Sequence, residues 1–306
     1  MCAEPIRVGQ FDSAAPLFEA DVSDVADCGP TALRIAIGGQ LRKLREECGI
    51  TPADAGRHIR GSHAKISRLE LGRTGFKERD VADLLALYGV RDPAQREMVL
   101  ALVRKANRPG WWHPYSDLLP PWFQTYLGLE GAATLIRTFE GHLVPGLLQT
   151  RNYARAVVAL GRRESAEAGR RVELRCKRQQ ILDAPGGPTL WAVLDEAVLR
   201  RPVGGATVMR EQIEHLVRMS DRPNVTIQVI PFLAGGIAAA GTSFTLLRFA
   251  EQVLPDIVYL EQVASAMYLD RREDIDVYRE LMDILALQAQ TRQQSRDMLV
   301  AAAAQF

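Results

Sequence analysis

Hydrophobic residues recur at helical spacing through residues 31–108. Between residues 33 and 44 the apolar positions are three or four residues apart, which is the period of one face of an α-helix. This pattern predicts a first helix from near Thr31 to Cys48, followed by Gly49, a residue type that commonly ends a helix. We therefore expect residues 31–108 to form an all-helical domain.

Four more helices are predicted in this domain from capping residues and turn signals. Thr51 is a good N-cap for the second helix, and Pro52 suits its first position. Gly61 marks a turn, and Ser62 is placed to cap the third helix. The fourth helix is expected at about 77–88 and the fifth at about 92–107.

The pattern changes after residue 108. Residues 109–126 are rich in proline and tryptophan and are predicted to be a linker or an irregular cover. Helical and strand-like patterns then interleave, which predicts an α+β domain over residues 127–306. Helical patterns lie at 128–140, 150–182, 205–220 and 274–300, and strand-like runs at 189–194, 225–230, 243–248 and 257–260.

Charge divides the N-terminal part of the chain into two blocks, although the whole chain has a net charge of only +1. Residues 1–30 hold six acidic residues and one arginine, and we interpret them as a flexible acidic arm. Residues 31–80 hold eleven Lys and Arg against six Asp and Glu. Such a basic block favours binding to a polyanion, with a solvated helical face as the alternative.

Residues 51–72 have the pattern of two short helices that pack across a tight turn. Ala55, Gly56 and Ile59 supply the contact face of the second helix. Ile66 and Leu69 supply it on the third, so the rest of that helix faces outward. An exposed helix of this kind fits the major groove of DNA, which is about 12 Å wide. A helical hairpin that binds only protein is the alternative.

The same region resembles the lambda-repressor-like, or XRE-type, helix-turn-helix family. The resemblance is carried by Leu41-Arg42-x-Leu44-Arg45, by Gly49-Ile50-Thr51 and by Ser62-x-x-Lys65-Ile66-Ser67-Arg68-Leu69-Glu70-x-Gly72. It implies that His63 and Arg68 read bases, while Lys65 and Ser67 flank the groove. Two departures from the family pattern are Pro52, where a glutamine is usual, and Arg60, where a turn glycine is common.

Further contacts are expected around the third helix. The resemblance implies that Arg45 and Glu70 form a structural ion pair that does not touch DNA. The predicted DNA-binding residues of the third helix and its cap are Ser62, His63, Ala64, Lys65, Ser67 and Arg68. The predicted phosphate anchors are Arg42, Lys43, Arg57, Arg60, Arg73 and Lys77. Each anchor has a plain surface charge as its alternative.

Residues 111–306 also resemble a family, the uncharacterised C-terminal domain of actinobacterial XRE-type regulators. The resemblance is carried by FEGHLVPGLLQTRNYA at 139–154, LRCKRQQIL at 174–182, LDEAVLRR at 194–201, NVTIQVIPF at 224–232 and GTSFTLLRF at 241–249. Some members are antitoxin-like, which implies a small partner protein or a small-molecule effector without identifying either. The expected fold is thus multidomain, with a lambda-repressor-like domain before an α+β domain.

The sequence favours a cytoplasmic transcription regulator that binds a pseudo-palindromic operator in double-stranded DNA as a homodimer. An antitoxin-like module that sequesters a small partner protein, with DNA binding for autoregulation, is the alternative. Four scattered cysteines predict neither a metal site nor a disulfide framework. We expect no membrane span, because no run of eighteen or more apolar residues appears. We also expect no cofactor and no enzymatic activity, because no catalytic motif is present.

Overall fold

The structure is a computed structural model that describes residues 29–161, 166–234, 236, 242–250 and 254–306. The acidic arm predicted at residues 1–30 lies, up to residue 28, outside the described residues. Within the described ranges, no helix combines the length and the apolar character needed to cross a membrane.

Five helices form the N-terminal region, as the hydrophobic spacing predicted. The predicted caps are present: Thr51 Oγ1 accepts a hydrogen bond from Asp54 N at 3.1 Å, and Ser62 Oγ accepts one from Lys65 N at 3.2 Å. The helices are α1 (Pro30–Glu47), α2 (Pro52–His58), α3 (His63–Glu70), α4 (Glu78–Leu87) and α5 (Pro93–Ala106).

The C-terminal region is built on one mixed six-stranded sheet. Its strand order is β3-β2-β1-β4-β5-β6, in which β1, β2 and β3 are parallel neighbours. Strands β1, β4, β5 and β6 pair antiparallel in that order. The strands are β1 (Leu135–Glu140), β2 (Thr189–Asp195), β3 (Val225–Ile230), β4 (Phe244–Arg248), β5 (Ile257–Glu261) and β6 (Ala266–Leu269). A helical domain followed by an α+β domain is therefore confirmed.

Helices cover both faces of this sheet. One face packs apolar side chains such as Phe139 and Val258 against Ile275 and Met282 of α11. The other face lies against α10 and α12. The helices are α6 (Pro121–Glu130), α7 (Arg151–Leu160), α8 (Ala166–Arg178), α9 (Glu196–Arg200), α10 (Ala206–Ser220), α11 (Arg272–Gln288) and α12 (Arg292–Ala303).

The helix expected at 128–140 was a wrong prediction. Helix α6 ends at Glu130, and the residues from Leu135 to Glu140 form β1 in the middle of the sheet. In LIRTFE, β-branched and aromatic residues suit a strand, and pairing on both sides outweighs the helical spacing of the preceding residues. The short edge strand β6 was also missed, since four residues carry little periodic signal.

The segment between the two regions is a packed cover. Residues His113–Leu118 form a 3₁₀ helix, and Trp112, Tyr115, Leu118 and Leu119 are buried. They form one cluster with Leu127 of α6 and Leu174 of α8. Helix α6 also packs against α1, so it contacts both regions. The boundary predicted between residues 126 and 127 falls inside this helix.

Candidate functional site

Helix α3 has one buried face and one exposed face. Ile66 and Leu69 are 1% and 2% exposed and anchor the helix in the core of the N-terminal region. His63, Ala64 and Arg68 are exposed, as is the capping residue Ser62, and Ser67 is partly exposed. The structure thus presents most of the predicted DNA-binding residues of this segment on one open surface.

Two close backbone approaches fix the position of α3. A Cβ atom on Gly56 of α2 would lie 2.9 Å from the carbonyl carbon of Ser62, so only glycine lets α2 come this near to the cap of α3. A Cβ atom on Gly38 of α1 would lie 2.5 Å from the carbonyl oxygen of Leu69. Small residues therefore hold both ends of α3 against its neighbours.

A buried ion pair ties the end of α3 to α1. Arg45 Nε donates to Glu70 Oε1 at 2.6 Å and Arg45 Nη2 to Glu70 Oε2 at 2.9 Å, in the two-point geometry that an arginine and a carboxylate favour. The hydrogen bond to Glu70 raises the pKa of Arg45, whose Nη1 also donates to Ile50 O at 2.9 Å. These are the residues for which a structural pair was predicted, and they lie away from the exposed face.

The turn between α2 and α3 is made without the glycine common in the resembled family. Arg60 adopts a φ of 53°, in the left-handed region, and Gly61 N donates to Gly56 O at 2.8 Å. This bond and the one from Arg60 N to Arg57 O close the C-terminus of α2. The chain keeps the usual helix-ending turn, but a side chain occupies its left-handed position.

Lys65 differs from the sequence expectation. We predicted that it points outward to flank a groove, whereas its Nζ lies 2.5 Å from Asp80 Oδ2 on α4. Asp80 is only 8% exposed, and a buried carboxylate requires a cationic or hydrogen-bonding partner. Lys65 therefore links α3 to α4 in this conformation.

The predicted phosphate anchors divide by their partners. Arg42 Nε lies 2.8 Å from Glu46 Oε1, and Arg57 pairs with Asp54. The remaining predicted anchors Lys43, Arg60 and Lys77 form no ion pair with any residue that the structure describes, and Arg73 is exposed after the end of α3.

A second candidate site is a cavity of about 990 Å³ in the C-terminal region. One wall is the face of α8 that carries Arg171, Leu174, Arg175 and Arg178, at spacings of three and four residues. The opposite wall is the sheet at the ends of β1 and β5, and the cover segment completes the lining. The sequence prediction did not include this site.

The charged groups of this cavity come from the ends of strands that the topology brings together. Strands β1 and β5 are both antiparallel to β4, so they end at the same edge of the sheet. Extending the paired register by one residue between β1 and β4, and by two between β4 and β5, places Glu140, Ser243 and Glu261 in one row across three strands, on one face. The sequence shows a carboxylate at the end of each strand, but only the strand pairing shows that the two carboxylates lie near each other.

One arginine of the cavity wall is already neutralised. Arg178 donates to both oxygens of Glu130 at 2.5 Å, and its guanidinium lies 5.1 Å from the centre of the Tyr126 ring. Burial alone would lower the pKa of Arg178, but the Glu130 carboxylate raises it above its ordinary value. Arg178 and Tyr126 line the cavity, whereas Glu130 lies behind them.

Two family models match the chain. Residues 36–99 match a helix-turn-helix domain, which covers most of α1 to α5. Residues 123–300, more than half of the chain, match a domain of unknown function (DUF5753). Comparison with curated proteins gave no match, and comparison with solved structures gave none.

Proposed function

The chain belongs to the DUF5753 family and carries a helix-turn-helix domain, and we propose that it is a sequence-specific, DNA-binding regulator of transcription. The observation that carries this proposal is the exposed face of α3, with His63, Ala64 and Arg68 open to solvent while Ile66 and Leu69 are buried behind them. We place α3 in the major groove of its operator.

Arg68 is the main base-reading residue in this proposal. Its guanidinium forms no ion pair with any described residue and stands on the exposed face of α3, so its donors are available to a guanine edge. One such two-point contact is worth about 1–3 kcal/mol of discrimination against a wrong base. His63, next to the cap, is the second proposed reader, and Ser62 and Ser67 supply hydroxyl groups nearby.

Phosphate contacts would supply most of the affinity. Lys43, Arg60 and Lys77 offer cations without intramolecular partners among the described residues, whereas Arg42 and Arg57 must exchange exposed acidic partners for phosphates. That exchange costs little, because exposed ion pairs contribute only about 0–1 kcal/mol. If all six proposed anchors contact phosphates, log affinity falls against log salt with a slope of about −5 per subunit.

We further propose that the chain acts in the cytoplasm as a homodimer of XRE type, by binding and not by catalysis. One eight-residue helix reads few base pairs, and a dimer doubles the site to two half-sites about 34 Å apart. The C-terminal domain would then respond to an effector, which the 990 Å³ cavity favours over a purely structural role. Stable co-purification of a small partner protein would favour the antitoxin-like alternative instead.

Selection of duplexes from a random double-stranded library by the purified full chain tests this function. We expect a two-fold symmetric sequence to be enriched, and we expect Arg68→Ala to lose preference at one position of each half-site by fivefold or more. Arg91→Ala is the matched control, because Arg91 is an exposed arginine outside the proposed surface. Failure of the wild-type chain to enrich any sequence at low salt would overturn the proposal.

A further inference from the structure

The sheet wall of the cavity has carboxylates without cationic partners. Neither Glu140 nor Glu261 forms an ion pair among the described residues; Tyr259 Oη donates to Glu261 at 3.1 Å. Burial, with the Glu261 charge, raises the pKa of Glu140 to about 7, although Ser243 and Arg178 act in the opposite direction. A cationic group placed here would relieve the repulsion between the two carboxylates.

The helix wall has a guanidinium without a carboxylate partner. Arg175 Nη1 donates to Gln149 Oε1 at 3.2 Å, and no acidic residue of the described chain lies within ion-pair distance. Burial, followed by the neighbouring charge of Arg178, lowers the pKa of Arg175. A half-buried arginine with unused donors is suited to a carboxylate, which accepts two parallel hydrogen bonds from it.

The cavity keeps these opposite charges apart, although Arg175 and Glu261 are close enough to influence each other electrostatically. Between the two charged walls, most of the other lining residues are apolar, including Trp122 and Val157. The volume of the cavity, about 990 Å³, is at the upper end of the range that small-molecule sites occupy, about 300–1,000 Å³.

We propose that this cavity binds a small amphoteric molecule, with an amino group held by Glu140 and Glu261 and a carboxylate held by Arg175 across an apolar body. Free amino acids and short peptides are the simplest molecules of this class. The proposal deepens the proposed function, because it names the chemistry of the effector; the binding itself does not require DNA.

A ligand in this cavity contacts the elements that join the two regions. Leu118, Leu119, Trp122 and Phe123 line the cavity, and they belong to the cover segment and to α6. The same helix α6 packs against α1 of the helix-turn-helix domain, and Tyr268 Oη donates to Trp122 O at 2.6 Å to tie it to the sheet. A bound ligand would therefore touch the same helix, α6, that packs against the DNA-binding domain.

The test is calorimetry and thermal unfolding of the full chain, without DNA, against a complete panel of free amino acids and dipeptides. At least one member is expected to bind and to raise the melting temperature. Its N-acetyl form and its C-terminal amide are each expected to bind at least about tenfold more weakly, because each removes one charge-assisted contact.

Two variants, each of which replaces a charged group with a neutral polar one, identify the contacts. Glu140→Gln should reduce the preference for a free amino group, and Arg175→Gln should reduce the preference for a free carboxylate. Lys177→Gln is the control, since Lys177 is on α8 but outside the cavity lining. The proposal is overturned if no panel member binds, if capped and free forms bind equally, or if both variants keep the wild-type preferences. Selection of DNA by the ligand-free chain is measured separately, so failure of the effector and failure of DNA binding remain distinguishable.

Discussion

The two domains build their sites in different ways. The proposed DNA-binding surface is one continuous helix with its cap, and its geometry follows from local capping and two buried apolar residues. The cavity takes one carboxylate from β1, another from β5 and an arginine from α8, residues separated by 35 or more positions. A local site is visible in a sequence, whereas a site made by topology becomes visible only after the strands are paired.

The largest expected effects come from a buried, two-point ion pair in each domain, Arg45–Glu70 and Arg178–Glu130. Glu70→Ala and Glu130→Ala should each lower the free energy of unfolding by about 3–5 kcal/mol, because each leaves a buried guanidinium without its counter-ion. Urea unfolding measures this loss. The domains differ in readout: Glu70→Ala should abolish DNA selection, while Glu130→Ala should weaken ligand binding in the cavity.

The double variant Arg45→Met with Glu70→Leu controls for the missing charge. It should recover most of the stability, since a buried pair replaced by apolar residues is often neutral. A loss below about 1 kcal/mol in Glu70→Ala would mean that the pair does not hold α3 in place.

The second test concerns the cavity alone. A folded-state pKa of about 7 at Glu140 favours the protonated form, so stability is lost as pH rises from the ordinary carboxyl range through 7. Glu140→Gln should therefore raise the free energy of unfolding at pH 8 by on the order of 1–3 kcal/mol, with no gain at pH 4. Denaturant titrations at the two pH values measure this, with exposed Glu280→Gln as the control. Equal effects at both pH values would argue against an elevated Glu140 pKa.

The third test returns to the turn before α3. Arg60→Gly should raise the free energy of unfolding by about 1 kcal/mol, because glycine adopts a φ of 53° without the strain of a side chain. Arg60→Ala removes the same cation without relieving that strain, so it should not stabilise the chain. Both variants should bind DNA more weakly at low salt, and thermal unfolding with gel shifts separates the two effects. Equal stability of the two variants would contradict the role given to the backbone.

The smallest expected effect lies in an exposed pair. Glu46→Gln removes the partner of Arg42 and should change the free energy of unfolding by less than about 0.5 kcal/mol. It should also strengthen DNA binding by about twofold at low salt, because Arg42 no longer has to leave an acidic partner. Glu47→Gln is the control for net charge in the gel-shift titration. Glu47 is a neighbouring exposed residue that forms no ion pair in the described chain. The same gain in both variants would show a general charge effect.

Much of the N-terminal fold could be predicted from the sequence, because the determinants are local. Thr51 and Ser62 cap helices through their own side chains, and Ile66 and Leu69 occupy the buried face that their spacing requires. Lys65 shows the limit even here: its direction depends on Asp80, fifteen residues away on another helix.

The C-terminal domain was predicted in class but less well in detail. Leu135–Glu140 forms a strand because β2 and β4 flank it, and neither neighbour is adjacent in the sequence. The cavity was missed for the same reason, since Glu140 and Glu261 are brought near each other only because β1 and β5 both pair with β4. The arginine spacing on α8 was readable, but without an opposing wall it indicated nothing more than a charged helix face.

The contact between α6 and α1 limits how the helix-turn-helix domain can be exchanged between proteins of this family. A Cβ atom on Gly128 would lie 2.2 Å from Thr31 Oγ1, so the two helices fit only with glycine at this position. A chimera joined in the cover segment after α5 would set α6 of one parent against α1 of another. Exchange of the helix-turn-helix domain between relatives therefore needs a crossover point beyond Glu130, or the transfer of Thr31 and Gly128 together.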